Sequence, residues 1–459
     1  MQISECFKGP KHPSPATLEK FQQVLTELIN LEHPLVKLAA FIDWEVFQTQ
    51  WSGFFPSKTG RPATPPRLIA GLLYLQHTFA LSDEALIWSW VENPYWQHFC
   101  GEIHFQHEPP IDPSSLTRWR KRIGEAGVER LLSESIDAAR RGKVVKEKSF
   151  DKVIVDTTVM EKAIAYPTDS QLLEKGRQHL VKLAESLGIR LRQNYNREAP
   201  RLAAQVARYA HAKQFRRMRA VIKTQRTILG RVWRDIQRKL NADQGDTDVV
   251  RTTLVKVQRL LTQQRTDKHK LYSLHAPEVE CIAKGKVRQP YEFGVKVSIA
   301  TTHKEGLVVG IKSMPGNPYD GHTLPSAVKQ IAELTNRVPK AVFVDRGYRG
   351  VEIPNVTIWR SGQKRGVTPN IKKAIHRRSA IEPAIGHMKN DGRLGRNWLK
   401  GALGDALHAM LCGAGHNLRM ILRAIRLFYG QCFASQLLML VAAIHLHLNT
   451  TQFNQLKSA

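Results

Sequence analysis

Val153-Ile154-Val155-Asp156-Thr157-Thr158 is a β-branched apolar run closed by a carboxylate, set between segments with helical periodicity. That composition predicts a buried strand from Lys152 to Val159. The same arrangement recurs at Ala341-Val342-Phe343-Val344-Asp345, a second buried strand that opens into Arg346-Gly347-Tyr348-Arg349-Gly350. Between them, Tyr291 to Ile299 alternates apolar and polar residues, and a loop at Thr301–Gly306 leads to Leu307-Val308-Val309-Gly310-Ile311, which predicts a hairpin. A helix is expected over Leu324–Leu334, a short strand at Thr357-Ile358-Trp359, and a helix starting near Lys372 that carries Glu382.

The flanks read differently. Residues 1–150 are mostly helical in pattern: Ala16 to Asn30 has apolar residues at helical spacing, and Pro65-Pro66 stands where a helix can begin. Ser82 is placed to cap a helix bearing Trp88 and Trp90; these and Trp96 read as core. Asp112-Pro113-Ser114-Ser115 precedes a short basic helix with Arg118, Arg120, Lys121 and Arg122, which suits a helix-turn-helix-like binder of DNA ends. Ser170 to His275 is helical again, and Ile228, Val232, Ile236 and Leu240 face Val250, Leu254, Val257 and Leu261 across a turn near Asn241–Asp248. That pattern predicts a long helical hairpin inserted into the strand region. From Leu399 onward an all-helical tail is expected. The reading is an α/β chain of three parts: a helical 1–150, a catalytic 151–400 with 170–275 as the insertion, and a helical tail at 401–459.

Charge points to the partner. The 459 residues carry a net +29, and the insertion alone holds 24 basic against 8 acidic residues, more than half of that excess. A field so concentrated attracts a phosphate backbone without reading sequence. The five cysteines (Cys6, Cys100, Cys281, Cys412, Cys432) are scattered without CxxC spacing, which argues against a disulfide framework or a structural zinc site and suits a reducing cytoplasm. The N-terminus lacks a signal layout, and the longest apolar stretch, near Leu437–Leu446, is too short to span a bilayer, so no membrane partner is expected.

The element order (strand, insertion, hairpin, helix, strand, helix, strand, helix) is that of an RNase H-like fold, which would set Asp156 and Asp345 on neighbouring strands. With Glu382 they would offer oxygen ligands to two Mg²⁺ ions, a pair suited to in-line attack on a phosphodiester. Arg378 and Glu382 are four apart, so they share a helix face, and Lys389 follows about two turns on.

At this point the chain resembles a bacterial DDE insertion-sequence transposase and is most similar to the insertion-sequence-five family. The residues that carry the likeness are Val155-Asp156-Thr157-Thr158, Pro290 to Lys296, Asp345 to Gly350, Arg378 to Lys389, Asn397-Trp398-Leu399-Lys400-Gly401 and Gly413 to Arg419, with Ser114 to Gly124 before them. The resemblance implies metal-dependent cleavage at terminal inverted repeats followed by strand transfer into target DNA. It makes Asp156, Asp345 and Glu382 the catalytic and metal residues, with Mg²⁺ or, in its place, Mn²⁺. Arg346, Tyr348, Arg378, Lys389, Arg118, Arg120, Lys121 and Arg122 would contact double-stranded DNA. It also implies a homodimer on DNA and a cytoplasmic, nucleoid-associated location. In the family's pattern of Tyr, Arg, Glu and Lys, Ile375 stands at the tyrosine position here. A catalytically silent DNA-binding descendant, or a nuclease that cuts without joining, remains the alternative.

Overall fold

The computed structural model describes residues 23–54, 64–240, 247–264, 266–268, 270–285 and 290–428. Its centre is one six-stranded sheet. Strands β1 (Lys152–Glu161), β2 (Glu280–Ala283), β3 (Tyr291–Thr302), β4 (Val308–Met314), β5 (Ala341–Val344) and β6 (Thr357–Arg360) are arranged β2-β3-β1-β5-β6, with β4 also on β3. β1 pairs antiparallel with β3, from Val153↔Thr302 to Glu161↔Gly294, and parallel with β5, from Lys152↔Ala341 to Ile154↔Phe343. β2 and β4 share the far edge of β3, paired at Tyr291–Gly294 and at Lys296–Thr301 respectively. Five strands stand where the alternation and the apolar runs predict them; β2 was not anticipated, because four residues paired on an edge leave little periodicity to read. Gly294 is required in β3: a Cβ there would collide with the backbone carbonyl of Met160 on β1.

The N-terminal helices pack against this sheet. The helices Pro66–Thr78, Asp83–Glu92, Pro94–Cys100 and Ser115–Arg141 share one continuous core with the strands and with the helix at 401–428. Ser82 caps as expected, accepting from the Ala85 N–H at 3.1 Å. The basic helix at Ser115 is longer than its sequence suggests: it runs to Arg141, with a break at Gly124 (φ 61°, ψ −164°), a conformation open to glycine alone. Trp90 and Trp96 are core, whereas Trp88 is 58% exposed, on the outer face of its helix. Of the helix expected over Ala16–Asn30, residues 16–22 lie outside the described residues, and within them only Leu25–Leu28 is helical, with Val24 and Ile29 extended. Leu437–Leu446 and the remainder of the tail lie outside them.

The insertion is more than a hairpin. Helices Phe215–Lys239 and Asp248–Thr262 are the two that the apolar repeats foretold, and Asp169–Ser186 and Glu198–His211 join them. Leu172, Leu180, Leu229, Val232, Ile236 and Leu260 form a core separate from the main one. Outside, Arg216, Arg217, Arg219, Lys223, Arg231, Arg234, Arg238 and Lys239 of a single helix are exposed. No helix among the described residues is long and apolar enough to cross a membrane.

Two motifs near the C-terminus turn out to be fasteners. The Asn417 side chain accepts from the Val308 N–H (2.8 Å) and donates to the Val308 carbonyl (2.9 Å) and to Ser135 Oγ (3.0 Å), joining β4 to the Ser115–Arg141 helix. At the end of β1, Lys162 is 7% exposed and bonds Asp405 (2.7 Å) and Glu278 (2.8 Å), while Asn397 donates to Asp405 (2.6 Å). Removing Lys162 would leave two carboxylates facing each other in a dry site. Lys162→Ala should therefore lower unfolding free energy by about 3–5 kcal/mol, read from urea denaturation; a loss below about 1 kcal/mol, the level of an exposed pair, would show the cluster to be hydrated.

Candidate active site

The pairing register brings the first two carboxylates together. β1 and β5 last pair at Ile154↔Phe343, and Asp156 and Asp345 each lie two residues further on. Side chains two apart share a face, so both acids project from the face that carries Ile154 and Phe343. Ile381 packs on that pair, seating the first turn of the helix Ile381–Asn390 and with it Glu382. The stretch expected to be one helix from Lys372 is broken: Pro369–His376 is helical, Arg377–Ala380 is a 3₁₀ turn, and a new helix starts at Ile381. Arg377 anchors the turn through the His303 (2.9 Å) and Lys304 (2.5 Å) carbonyls. Ile375, at the tyrosine position of the family pattern, packs against the same apolar cluster.

A fourth carboxylate joins them. Asp320 opens the helix Asp320–Thr335; its Oδ1 accepts from Thr157 Oγ1 (3.0 Å) and Lys296 Nζ (2.9 Å). A Cβ built on Gly347 would lie 3.0 Å from Asp345 Oδ1 and 3.4 Å from Asp320 Oδ2, so the two acids flank that glycine. Sequence reading missed Asp320. Its signal was a lone acid in the first turn of a helix, which also serves as an ordinary favourable partner of the helix dipole. Burial raises the pKa of Asp156, the charges of Asp345 and Asp320 raise it further, and the Thr157 N–H and Arg378 oppose them.

Arg378 is the counter-charge at the centre. It donates to Asp156 Oδ2 (3.1 Å) and Glu382 Oε1 (2.9 Å) and is 14% exposed, while Glu382 is 63% exposed. Arg378, expected at a DNA phosphate, has its guanidinium engaged between two carboxylates. A cation held by both of those acids would require Arg378 to release at least one. Tyr348, expected at the DNA, is fully buried in the core. Arg346 is exposed and lines a cavity with Arg349 and Arg360. Lys389 is half-buried, in the wall of another cavity beside Arg393 and Arg396.

The basic N-terminal helix divides in the same way. Arg118, Lys121 and Arg122 are exposed, with Arg122 stacked over Trp119 at 4.8 Å. Arg120 is 4% exposed; it pairs with Asp83 at 2.5 Å and donates to Gln76 at 2.7 Å. That burial removes it from the DNA-facing set, because a helix carrying four basic residues within five positions must turn one of them inward.

Two family profiles match the chain: Transposase domain (DUF772) over residues 23–122 and Transposase DDE domain over residues 261–418. The second spans Asp320, Asp345 and Glu382; Asp156 lies outside both. An uncharacterized protein, ORF8 in the nfe locus of Rhizobium meliloti, is 50% identical over 206 residues, which are 45% of this chain and 99% of that protein. No solved structure matches. With a transposase domain over its N-terminal helices and a DDE domain over strands β2 to β6, the chain carries the domains of a DDE transposase, an enzyme that acts on DNA.

Proposed function

We propose that this transposase cleaves at the terminal inverted repeats of a bacterial insertion sequence, of the insertion-sequence-five type, and joins the freed ends to target DNA. The observation that carries the reading is the convergence of Asp156, Asp345 and Asp320 at adjoining strand ends, with Glu382 delivered by the packing of Ile381. The strand order and directions support an RNase H-like assignment for the catalytic part.

The donor set fits a hard divalent cation. Every candidate ligand is a carboxylate oxygen, and burial, with the neighbouring carboxylates adding to it, raises the Asp156 pKa, an effect that bound positive charge would offset. Asp156, Asp345 and Glu382 would hold Mg²⁺ or Mn²⁺, with Asp320 beside them. Two such ions, when bound, supply activation of the attacking oxygen and stabilisation of the leaving oxygen. The chain's own residues do the rest. Lys296 and Thr157 fix one oxygen of Asp320, and the Thr157 N–H (2.8 Å) and Gly347 N–H (2.7 Å) orient Asp156 and Asp345. Arg378, released from Glu382, is placed to take a DNA phosphate, and Lys389 and Arg346 extend that positive track. Water attacks first and frees a 3′-hydroxyl; that hydroxyl then attacks a target phosphodiester and expels the target's 3′-oxygen. Arg118, Lys121, Arg122 and the exposed arginines of the insertion grip the duplex, and two chains hold two ends as a homodimer in the cytoplasm.

Two predictions test this. Asp345→Ala and Asp156→Ala should keep DNA binding and lose Mg²⁺-dependent cutting and joining of the element's ends by roughly a thousandfold or more, since a Lewis acid is worth several kcal/mol and each 1.36 kcal/mol is tenfold. Wild type that binds but never cuts sinks the enzyme reading in favour of a DNA-binding descendant; cutting without joining leaves a nuclease. In salt titrations of DNA affinity, Lys121→Ala and Arg122→Ala should each reduce the log–log slope by about one. Arg120→Ala should instead leave the slope unchanged and reduce stability by about 3 kcal/mol, the cost of stranding Asp83. A slope change at Arg120 alone would reverse that assignment.

A further inference from the structure

His77, on the helix Pro66–Thr78, meets His408 and Cys412, one turn apart on the helix 401–428. One ligand atom from each lies within 4.8 Å of the other two, and no other trio of His, Cys or carboxylate groups among the described residues meets that condition. All three are buried, at 2%, 2% and 0% exposure. The imidazoles are oriented by main chain: His77 Nδ1 contacts the Leu73 carbonyl at 3.2 Å and His408 Nε2 the Arg393 carbonyl at 2.9 Å. A carbonyl only accepts, so those nitrogens carry the hydrogens, and His77 Nε2 and His408 Nδ1 keep bare lone pairs. His77 Nε2 is buried with no hydrogen-bond partner, which is costly if nothing else uses the lone pair. Ring N–H bonded to a backbone carbonyl, with the other nitrogen bare, is the arrangement of a metal-ligating histidine.

We propose that His77 Nε2, His408 Nδ1 and Cys412 Sγ bind one Zn²⁺ ion that pins the N-terminal helices to the C-terminal helix. Two imidazoles and a thiolate suit a borderline ion such as zinc and not the hard cation of the carboxylate site. Zn–N near ~2.0 Å and Zn–S near ~2.3 Å place tetrahedral ligands roughly 3.3–3.7 Å apart, so small rotamer adjustments close the site. His77 and His408 also line a cavity of about 710 Å³, and a water would supply the fourth ligand. Burial holds both imidazoles neutral, as ligands must be, with His408 lowered to about 4. Burial pushes the Cys412 thiol up to about 12, while Arg393 and Arg419 favour its thiolate. Binding forms the Zn–S bond and sends the thiol proton to solvent. Arg393, Arg120 and Lys162 oppose positive charge near His408, and the thiolate offsets part of that opposition. Close helix approach is built in: a Cβ on Gly415 would collide with the His77 carbonyl, to which Arg419 Nη1 donates at 2.7 Å. The scattered cysteine spacing argued against zinc only because it tests for ligands contributed by one local segment.

Full-length protein from zinc-supplemented cells, purified without chelator, should carry about one zinc per chain by plasma mass spectrometry. The Asp156→Ala/Asp345→Ala double variant should carry as much, which separates this site from the carboxylates. Cys412→Ala and His77→Gln should lose it while keeping a native circular-dichroism spectrum. Wild type loaded with Co²⁺ should show thiolate-to-cobalt charge-transfer absorption that Cys412→Ala lacks, a readout that holds even if His77→Gln misfolds. Wild type with no zinc and no cobalt–thiolate band overturns the proposal. So does zinc that persists in Cys412→Ala, or zinc that disappears with the two aspartates.

Discussion

The double pairing of β1 is the constraint on which the rest of this structure depends. Hydrogen-bonded to β3 on one edge and to β5 on the other, it cannot slide without breaking both ladders. A slip of one residue would turn Asp156 to the opposite face and leave Asp345 alone. The register also sets where Ile154 and Phe343 stand, and so where Ile381 packs and Glu382 arrives. Gly294 belongs to the same constraint, since only a residue without Cβ lets β3 approach the end of β1 so closely.

Gathering acids at the strand ends creates an electrostatic problem that the fold solves locally. Arg378 offsets Asp156 and Glu382, and Lys296 offsets Asp320. Neither cation is distant, and Arg378 sits between the two acids that a bound metal would share. The protein thus holds Asp156, Glu382 and Asp320 in place through its own cations. The Lys162 cluster applies the same rule to a structural end, joining the close of β1 to the start of the helix 401–428 at Asp405 and to Glu278 ahead of β2.

The insertion handles charge in the opposite way. Its helices pack on a core of their own, and its exterior is strongly basic. Where its arginines are buried they are paired, as Arg177 is with Glu174 at 2.7 Å; the long helix Phe215–Lys239 leaves most of its cations in solvent. A phosphate backbone meets a surface of this kind as a diffuse field rather than as a set of individual contacts.

Much was legible in the residues themselves. β-Branched runs closed by Asp156 and Asp345, the alternation of β3, and the apolar repeats of the insertion each determine a local conformation and a buried face, because side-chain periodicity is a property of the chain alone. The neighbouring positions of Asp156 and Asp345 followed from strand order. The side of Arg120, the burial of Tyr348, the engagement of Arg378 and the presence of Asp320 at the site did not follow, since each depends on what a distant segment brings alongside. Arg120 and Arg122 are equally basic in sequence; only the placement of Asp83, 37 residues earlier, buries one and leaves the other in water. His77 and Cys412 illustrate the same limit: sequence supplies the ligand types, and packing of two helices more than three hundred residues apart decides whether their lone pairs meet.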